Sequence, residues 1–154
     1  MRKVVLFISF SFVFLNVKAQ ANDSENDLLL IQKTLNFYID GQATGDSVMV
    51  GKSFHSAWQL KYLADDKLNI VTKSQYLSGF KKPYAKQPNW SGRIISIDIT
   101  NQIASAKIEI STSKLLFIDY FNLMKTSKGW FIVDKISTRT PHKIVEATAP
   151  KPKE

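Results

Sequence analysis

From Trp90 onward the hydrophobic period of the chain settles to two, and this change does most to limit the folds open to it. Upstream, Leu28, Ile31, Leu35, Tyr38 and Ile39 recur at helical spacing, which predicts a helix from about Glu25 to Asp40. Gly41 is placed to end it in a left-handed conformation. Gly45-Asp46-Ser47 supplies a turn and an N-cap for a second short helix over Ser47 to Ser53. Trp58 to Leu63 and Leu68 to Val71 alternate around Ala64-Asp65-Asp66-Lys67, as a hairpin does. Thr72 and Gln75 stand as a capping box at the head of a third helix that carries Tyr76, Leu77 and Phe80.

Downstream of Trp90 the period is two. Ile95, Ile97 and Ile99 alternate with polar residues, Asn101-Gln102 turns the chain, and Ala104, Ala106, Ile108 and Ile110 alternate again. Leu115 to Lys125 and Trp130 to Thr138 complete four antiparallel strands. Helices gathered before such strands pack on one face of the sheet. The expected architecture is therefore α+β: three N-terminal helices on a strongly curved, mostly antiparallel sheet that wraps the first helix as a half-open cone. The mouth of such a cone is the default ligand site.

The ends of the chain read differently. Met1-Arg2-Lys3, an apolar run from Val4 to Leu15, and Val17 and Ala19 before Gln20 form the three parts of a signal peptide over residues 1–19. The apolar run falls short of the roughly 20 residues that span a bilayer, so no stable membrane insertion is expected after cleavage. Export to a bacterial periplasm or beyond is the localisation this implies. Residues 20–27 read as a flexible leader, 28–140 as one domain, and 141–154 as a disordered basic tail. Without Arg2, Lys3 and Lys18, 18 of the 21 basic residues remain against 13 acidic ones, a net charge of +5 rather than +8. Such mild basicity in an exported chain does not point to nucleic acid.

Several chemistries lack their residues. Cys is absent, so disulfides, thiol nucleophiles and thiolate metal sites are excluded. His55 and His142 are far apart with no ligand cluster between them, so no metal or other cofactor is expected. Phosphate loops, nucleophile elbows and zinc-protease motifs do not occur.

The elements in this order resemble the nuclear transport factor 2-like superfamily, and within it the Putative lumazine-binding branch. The resemblance is carried by Tyr38-Ile39-Asp40-Gly41, Gly45-Asp46, Phe54-His55, the strands from Asp98 to Ala106, and most of all two runs. These are Asp119-Tyr120-Phe121-Asn122-Leu123-Met124-Lys125 and Gly129-Trp130-Phe131-Ile132-Val133-Asp134-Lys135. It implies a cone with an internal pocket, often paired as a homodimer through the open sheet face. Ser56-Ala57 stand where the family commonly has Pro-Asp, and the strand beginning at Leu115 is unusually apolar.

Some proteins of this fold use a pocket carboxylate as a base. Asp119, Asp98 and Asp134 are the candidates, and Asp119 leads because it shares a strand face with Phe121 and Leu123. A carboxylate among apolar neighbours needs a partner, here Lys125 or Lys135. His55 is a second candidate base or a helix cap. Tyr38, Trp58, Tyr62 and Trp90 are the candidate pocket walls, since Tyr and Trp combine apolar area with a polar atom. The leading reading is an exported, non-catalytic module that binds a small hydrophobic or aromatic ligand through Tyr38, His55, Trp58, Tyr62, Trp90 and Asp119. An isomerase- or dehydratase-type enzyme with Asp119 or His55 as base and Tyr38 or Tyr62 as donor stays open. So does a protein-interaction or dimerisation domain.

Overall fold

The computed structural model describes residues 25–142; the expected signal peptide over residues 1–19, most of the expected leader and the expected tail from residue 143 lie outside the described residues. The long helix α1 spans residues 25–44, so the last residues expected in the leader are already helical. Its inner stripe is Ile31, Leu35, Tyr38 and Ile39, all buried. The helix runs through Gly41 rather than stopping there. A Cβ at Gly41 would lie 2.6 Å from Val50 Cγ2 and 2.7 Å from the Val50 nitrogen, so the glycine is where the next helix comes closest. Gly45, at φ +66°, makes the left-handed stop instead.

Helix α2 (Ser47–Ser53) starts on Asp46, whose Oδ1 accepts the Val48 and Met49 amides at 2.9 Å each. Lys73 closes its far end by donating to the carbonyls of Gly51 and Phe54 at 2.9 and 2.7 Å. Strands β1 (Phe54–Ala64) and β2 (Lys67–Thr72) form the early hairpin. Helix α3 (Lys73–Ser78) follows, opened by the Thr72–Gln75 capping box. Then come β3 (Ser91–Thr100), β4 (Ile103–Ser111), β5 (Leu115–Thr126) and β6 (Gly129–Pro141).

All six strands join one sheet in the order β2-β1-β6-β5-β4-β3. Every pairing is antiparallel except β1 with β6, which is parallel. The two halves of the chain thus meet where the early hairpin joins the last strand. The stripe of α1 packs with Val50, Phe54, Trp58, Ala106, Ile108, Phe121, Leu123 and Ile132 in one core on the inner sheet face. Gly92 marks the closest approach of β3 to α1, for a Cβ there would sit 2.7 Å from Ile39 Cγ2.

Three bulges set which residues face inward. In β3, Ile94 pairs with Ile108 and Ser96 with Lys107, leaving Ile95 over. Ile94, Ile97 and Ile99 therefore pack on the core while Ile95 is 43% exposed, against the even alternation of Ile95, Ile97 and Ile99 expected from spacing. In β6, Asp134 pairs with Asn122 but Ile132 with Leu123, so Val133 is the extra residue. Ile132 and Lys135 both turn inward as a result, and both are buried. In β1 the register shifts between Phe54 and Gln59.

The head of α1 is tied to the end of the β5–β6 hairpin. Asp27 accepts from Trp130 Nε1 at 2.9 Å and from Lys125 Nζ at 2.9 Å. Burial alone would raise the Asp27 pKa, but the hydrogen bonds from Lys125 and Trp130 and the charge of Lys125 outweigh it and hold the carboxyl below its usual value. A depressed carboxyl stabilises the fold above its unfolded-state pKa, and that contribution is lost as pH falls through the folded value. Asp27→Asn should therefore cost about 1–2 kcal/mol at neutral pH, discounted for the half-exposed Lys125, and flatten the acid limb of a urea-midpoint profile. An unchanged acid limb would show that Asp27 is not the group responsible.

Candidate functional site

Between α1, α3 and the inner sheet face lies a pocket of about 1540 Å³. Tyr62, Trp90 and Phe117 are among its walls, and Tyr38, Asp119 and Lys135 lie together on its lining. The last three are the most deeply buried polar residues of the pocket, at 1%, 1% and 4% exposure.

Each arrives from a different element. Tyr38 projects from the stripe of α1. Asp119 stands on the inner face of β5, two residues before Phe121. Lys135 lies across from Phe121 on β6, brought inward by the bulge at Val133. The Tyr38 hydroxyl donates to Asp119 Oδ2 at 2.7 Å. Lys135 Nζ donates to the Tyr38 oxygen at 2.5 Å and lies 3.0 Å from Asp119 Oδ2. Ser137 donates to Asp119 Oδ1 at 2.6 Å. The Lys135 ammonium also lies 4.9, 5.5 and 5.9 Å from the ring centres of Tyr38, Tyr76 and Phe121, within cation–π range.

A buried charge needs both a counter-charge and hydrogen bonds, and this cluster supplies both. The Asp119 carboxylate receives three protein donors, leaving about one of its roughly four lone-pair sites open. Tyr38 is pushed well above the ordinary phenol range, first by burial, then by Tyr76 and by the charge and hydrogen bond of Asp119. The phenol thus holds its proton, and a group with a raised folded pKa adds stability below its unfolded value that is lost as pH rises through the folded one. In an alkaline titration followed by tyrosinate absorbance, Tyr38 should ionise in a late step, well above the ordinary phenol range, and Tyr38→Phe should remove that step. A titration with no late step while the fold persists would contradict the burial.

The residues expected at the site divide. Tyr38, Tyr62, Trp90 and Asp119 line the pocket. Trp58, expected as a pocket wall, is instead buried in the core, stacked on Phe54 at 3.9 Å and edge-on to Tyr76. Its Nε1 is the buried side-chain polar atom left without a partner among the described residues. His55, expected at a helix end, belongs to β1 and lies away from the pocket lining. Its Nδ1 accepts the Ala57 amide at 3.2 Å and its ring faces Phe131. Asp134 pairs with Lys61 at 2.5 Å, Lys125 goes to Asp27, and Asp98 is exposed. Among the described residues no three His, Cys, Asp or Glu groups gather as metal ligands.

Tyr76 and Gln42 were not singled out for the site from sequence, yet both line the pocket. Gln42 Nε2 donates to the Tyr76 hydroxyl at 2.6 Å. Gln42 follows Tyr38 by one helical turn on α1, the spacing of side chains that share a helix face.

Solved structures share this fold. An NTF2-like protein of unknown function from Shewanella baltica is 27% identical, with a TM-score of 0.69 over 76% of this chain and 96% of that one. An NTF2-like protein of unknown function from Methylobacillus flagellatus is 25% identical, at a TM-score of 0.59 over 76% and 93%. A ketosteroid isomerase-like protein from Erwinia carotovora, 11% identical with a TM-score of 0.56 over 73% and 95%, shares the fold. No curated protein matches the sequence. The family model described as Putative lumazine-binding matches residues 26–137, well over half of the chain. With its helices laid on a six-stranded, mostly antiparallel sheet, the chain belongs to the Putative lumazine-binding family of the NTF2-like superfamily.

Proposed function

We propose that the protein is an exported, non-catalytic module that holds a small, partly aromatic or apolar molecule in the pocket. The observation that carries this reading is a roomy pocket with aromatic walls whose buried acid is already engaged. A general base needs a lone pair aimed at the proton it removes. Three of the roughly four lone-pair sites of Asp119 are already taken, by Tyr38, Lys135 and Ser137. Tyr38, the donor in the catalytic alternative, spends its hydrogen on that same carboxylate, and His55 is not on the pocket lining. The family description adds support for a small-molecule ligand. Export rests on the three-part N-terminal pattern of residues 1–19. No helix among the described residues is long and apolar enough to cross a membrane.

Pairing through the outer sheet face accompanies this reading. There Ile103 sits opposite Met124 in the β4–β5 ladder, and both are about half exposed, as is Tyr120 on the same strand. Exposed apolar clusters of this kind mark interaction surfaces.

Native mass spectrometry of the mature protein, residues 20–154, purified gently from the exported fraction, tests the proposal. Extra mass that leaves on activation supports a bound ligand, and a doubled mass supports the pairing. A protein retained in the cytoplasm with its first 19 residues intact would overturn export. Turnover of a carbonyl substrate, abolished by Asp119→Asn with binding kept, would overturn the non-catalytic reading.

A further inference from the structure

The floor and the mouth of the pocket differ in how their charges are matched. At the floor Lys135 and Asp119, 4% and 1% exposed, pair with each other. From Lys135 the inner face of β6 runs outward through Ser137 to Arg139, roughly 13 Å away at the usual strand rise. Arg139 sits across from Phe117 on β5, is exposed, and lines the pocket. The ladder between β1 and β6 ends at Lys61 and Ile136, although β1 continues to Ala64 and β6 to Pro141. Successive residues of the two strand ends, Leu63 and Ala64 on one and Thr138 and Arg139 on the other, line the pocket where it opens. Arg139 takes part in none of the ion pairs among the described residues. Asp119, diagonal to it on the same face, is already held by Lys135, Tyr38 and Ser137. Asp65 in the β1–β2 turn also lines the pocket and makes no ion pair. Against that one acid stand Arg139 and Lys86, whose ammonium lies 5.4 Å from the centre of the Trp90 ring.

We infer that Arg139 anchors a carboxylate of the ligand at the mouth of the pocket, while the ligand's flat apolar body lies inward against Tyr62, Trp90 and Phe117. The inference rests on the ligand-binding reading above and gives that ligand its class: an aromatic carboxylic acid, bound as its anion, long enough to reach from the floor to the end of β6. A guanidinium presents two parallel N–H donors that match the two oxygens of a carboxylate. The floor does not take the same charge. Asp119 already neutralises Lys135, so a second anion beside them would be buried without a counter-charge, which is costly. At the mouth the anion keeps part of its hydration and meets a cation with no protein partner among the described residues. The ligand therefore enters body first and leaves its charge at the opening. A neutral molecule of the same body leaves Arg139 in water at little cost, so the preference for the anion is moderate and sensitive to salt.

The test uses two probes with one skeleton, 4-(2-naphthyl)butanoate and 4-(2-naphthyl)butan-1-ol, which differ in the charge at the end of the chain. Binding is measured by calorimetry at low ionic strength to the parent protein and to Arg139→Gln, Arg139→Lys and Lys114→Gln. Lys114 is an exposed cation beside Ser113 at the same end of the sheet, so its variant reports the general field of the surface. The acid should bind the parent about tenfold more tightly than the alcohol. Arg139→Gln should bring the acid down to the level of the alcohol. Arg139→Lys, which keeps the charge and loses the fork, should keep only part of the preference. Lys114→Gln should keep most of it, and added salt should shrink it in the parent. Equal affinity of the parent for acid and alcohol overturns the inference and leaves the pocket a binding site. So does a preference that survives Arg139→Gln, or one that falls as far in Lys114→Gln, which would mark a diffuse field rather than an anchor. Failure of both probes to bind the folded parent overturns the inference together with the ligand-binding reading.

Discussion

Lys135→Met is expected to cost about 3–5 kcal/mol of folding stability, read as a lower urea midpoint at unchanged slope. The size follows from what is left behind. Asp119 is 1% exposed, and without Lys135 its carboxylate keeps only the hydroxyls of Tyr38 and Ser137 inside an apolar core. A buried charge without its counter-charge is among the most destabilising changes a fold can suffer. Removing both charges is a different matter. In Asp119→Leu/Lys135→Met the uncompensated ion disappears, and stability should return to within about 2 kcal/mol of the parent, the remaining loss reflecting two hydroxyls without an acceptor. The two substitutions should thus be strongly non-additive. A single variant that loses less than about 1 kcal/mol, or a double variant whose loss equals the sum of the singles, would show that the pair is more hydrated than its burial indicates.

The fate of Lys135 also shows where the sequence could be read and where it could not. Local signals were legible because each is settled within a few residues: Asp46 caps α2, and Thr72 and Gln75 cap α3. The sheet and its helical cover followed from the change of period at Trp90. The partner of Asp119 stayed open between Lys125 and Lys135 because it depends on one bulge. From the turn, the ladder pairs Leu123 with Ile132. Continued without interruption it would set Phe121 opposite Asp134 and turn that acid inward. The extra Val133 moves the register by one, so Phe121 meets Lys135 and Asp134 faces Lys61 instead. Alternation of side chains cannot reveal where a ladder slips, and a slip of one reverses every face beyond it.

Gly41 and Trp58 were misplaced for a related reason. Each was judged by its neighbours in the chain, yet Gly41 is held by the approach of Val50 and Trp58 by its stack on Phe54. The pocket itself, and the pairing of Tyr76 with Gln42, depend on the distance between α1 and α3, which no spacing within either helix encodes.

Phe121→Ala should remove about 3–5 kcal/mol of stability, and should also change the chemistry of the site. The ring is 1% exposed and meets Tyr38 edge-on at a centroid distance of 5.0 Å, with the Lys135 ammonium 5.9 Å from its centre. Truncation leaves a cavity beside the buried Asp119–Lys135 pair. Polar groups at the margin of such a cavity favour the entry of water. Burial is the foremost cause of the raised Tyr38 pKa, so hydration should bring its ionisation down toward the ordinary phenol range and advance the late step of the alkaline titration. Phe121→Leu, which keeps most of the volume, should cost less than about 1.5 kcal/mol and leave that step nearly in place. The two readouts separate packing from hydration. If Phe121→Ala loses the stability but Tyr38 ionises as late as in the parent, the cavity has stayed dry, and the charges of Asp119 and the hydroxyl of Tyr76 hold the Tyr38 proton without help from the ring. If both variants advance the step equally, the edge contact of the aromatic ring, rather than the space it fills, is what shields Tyr38.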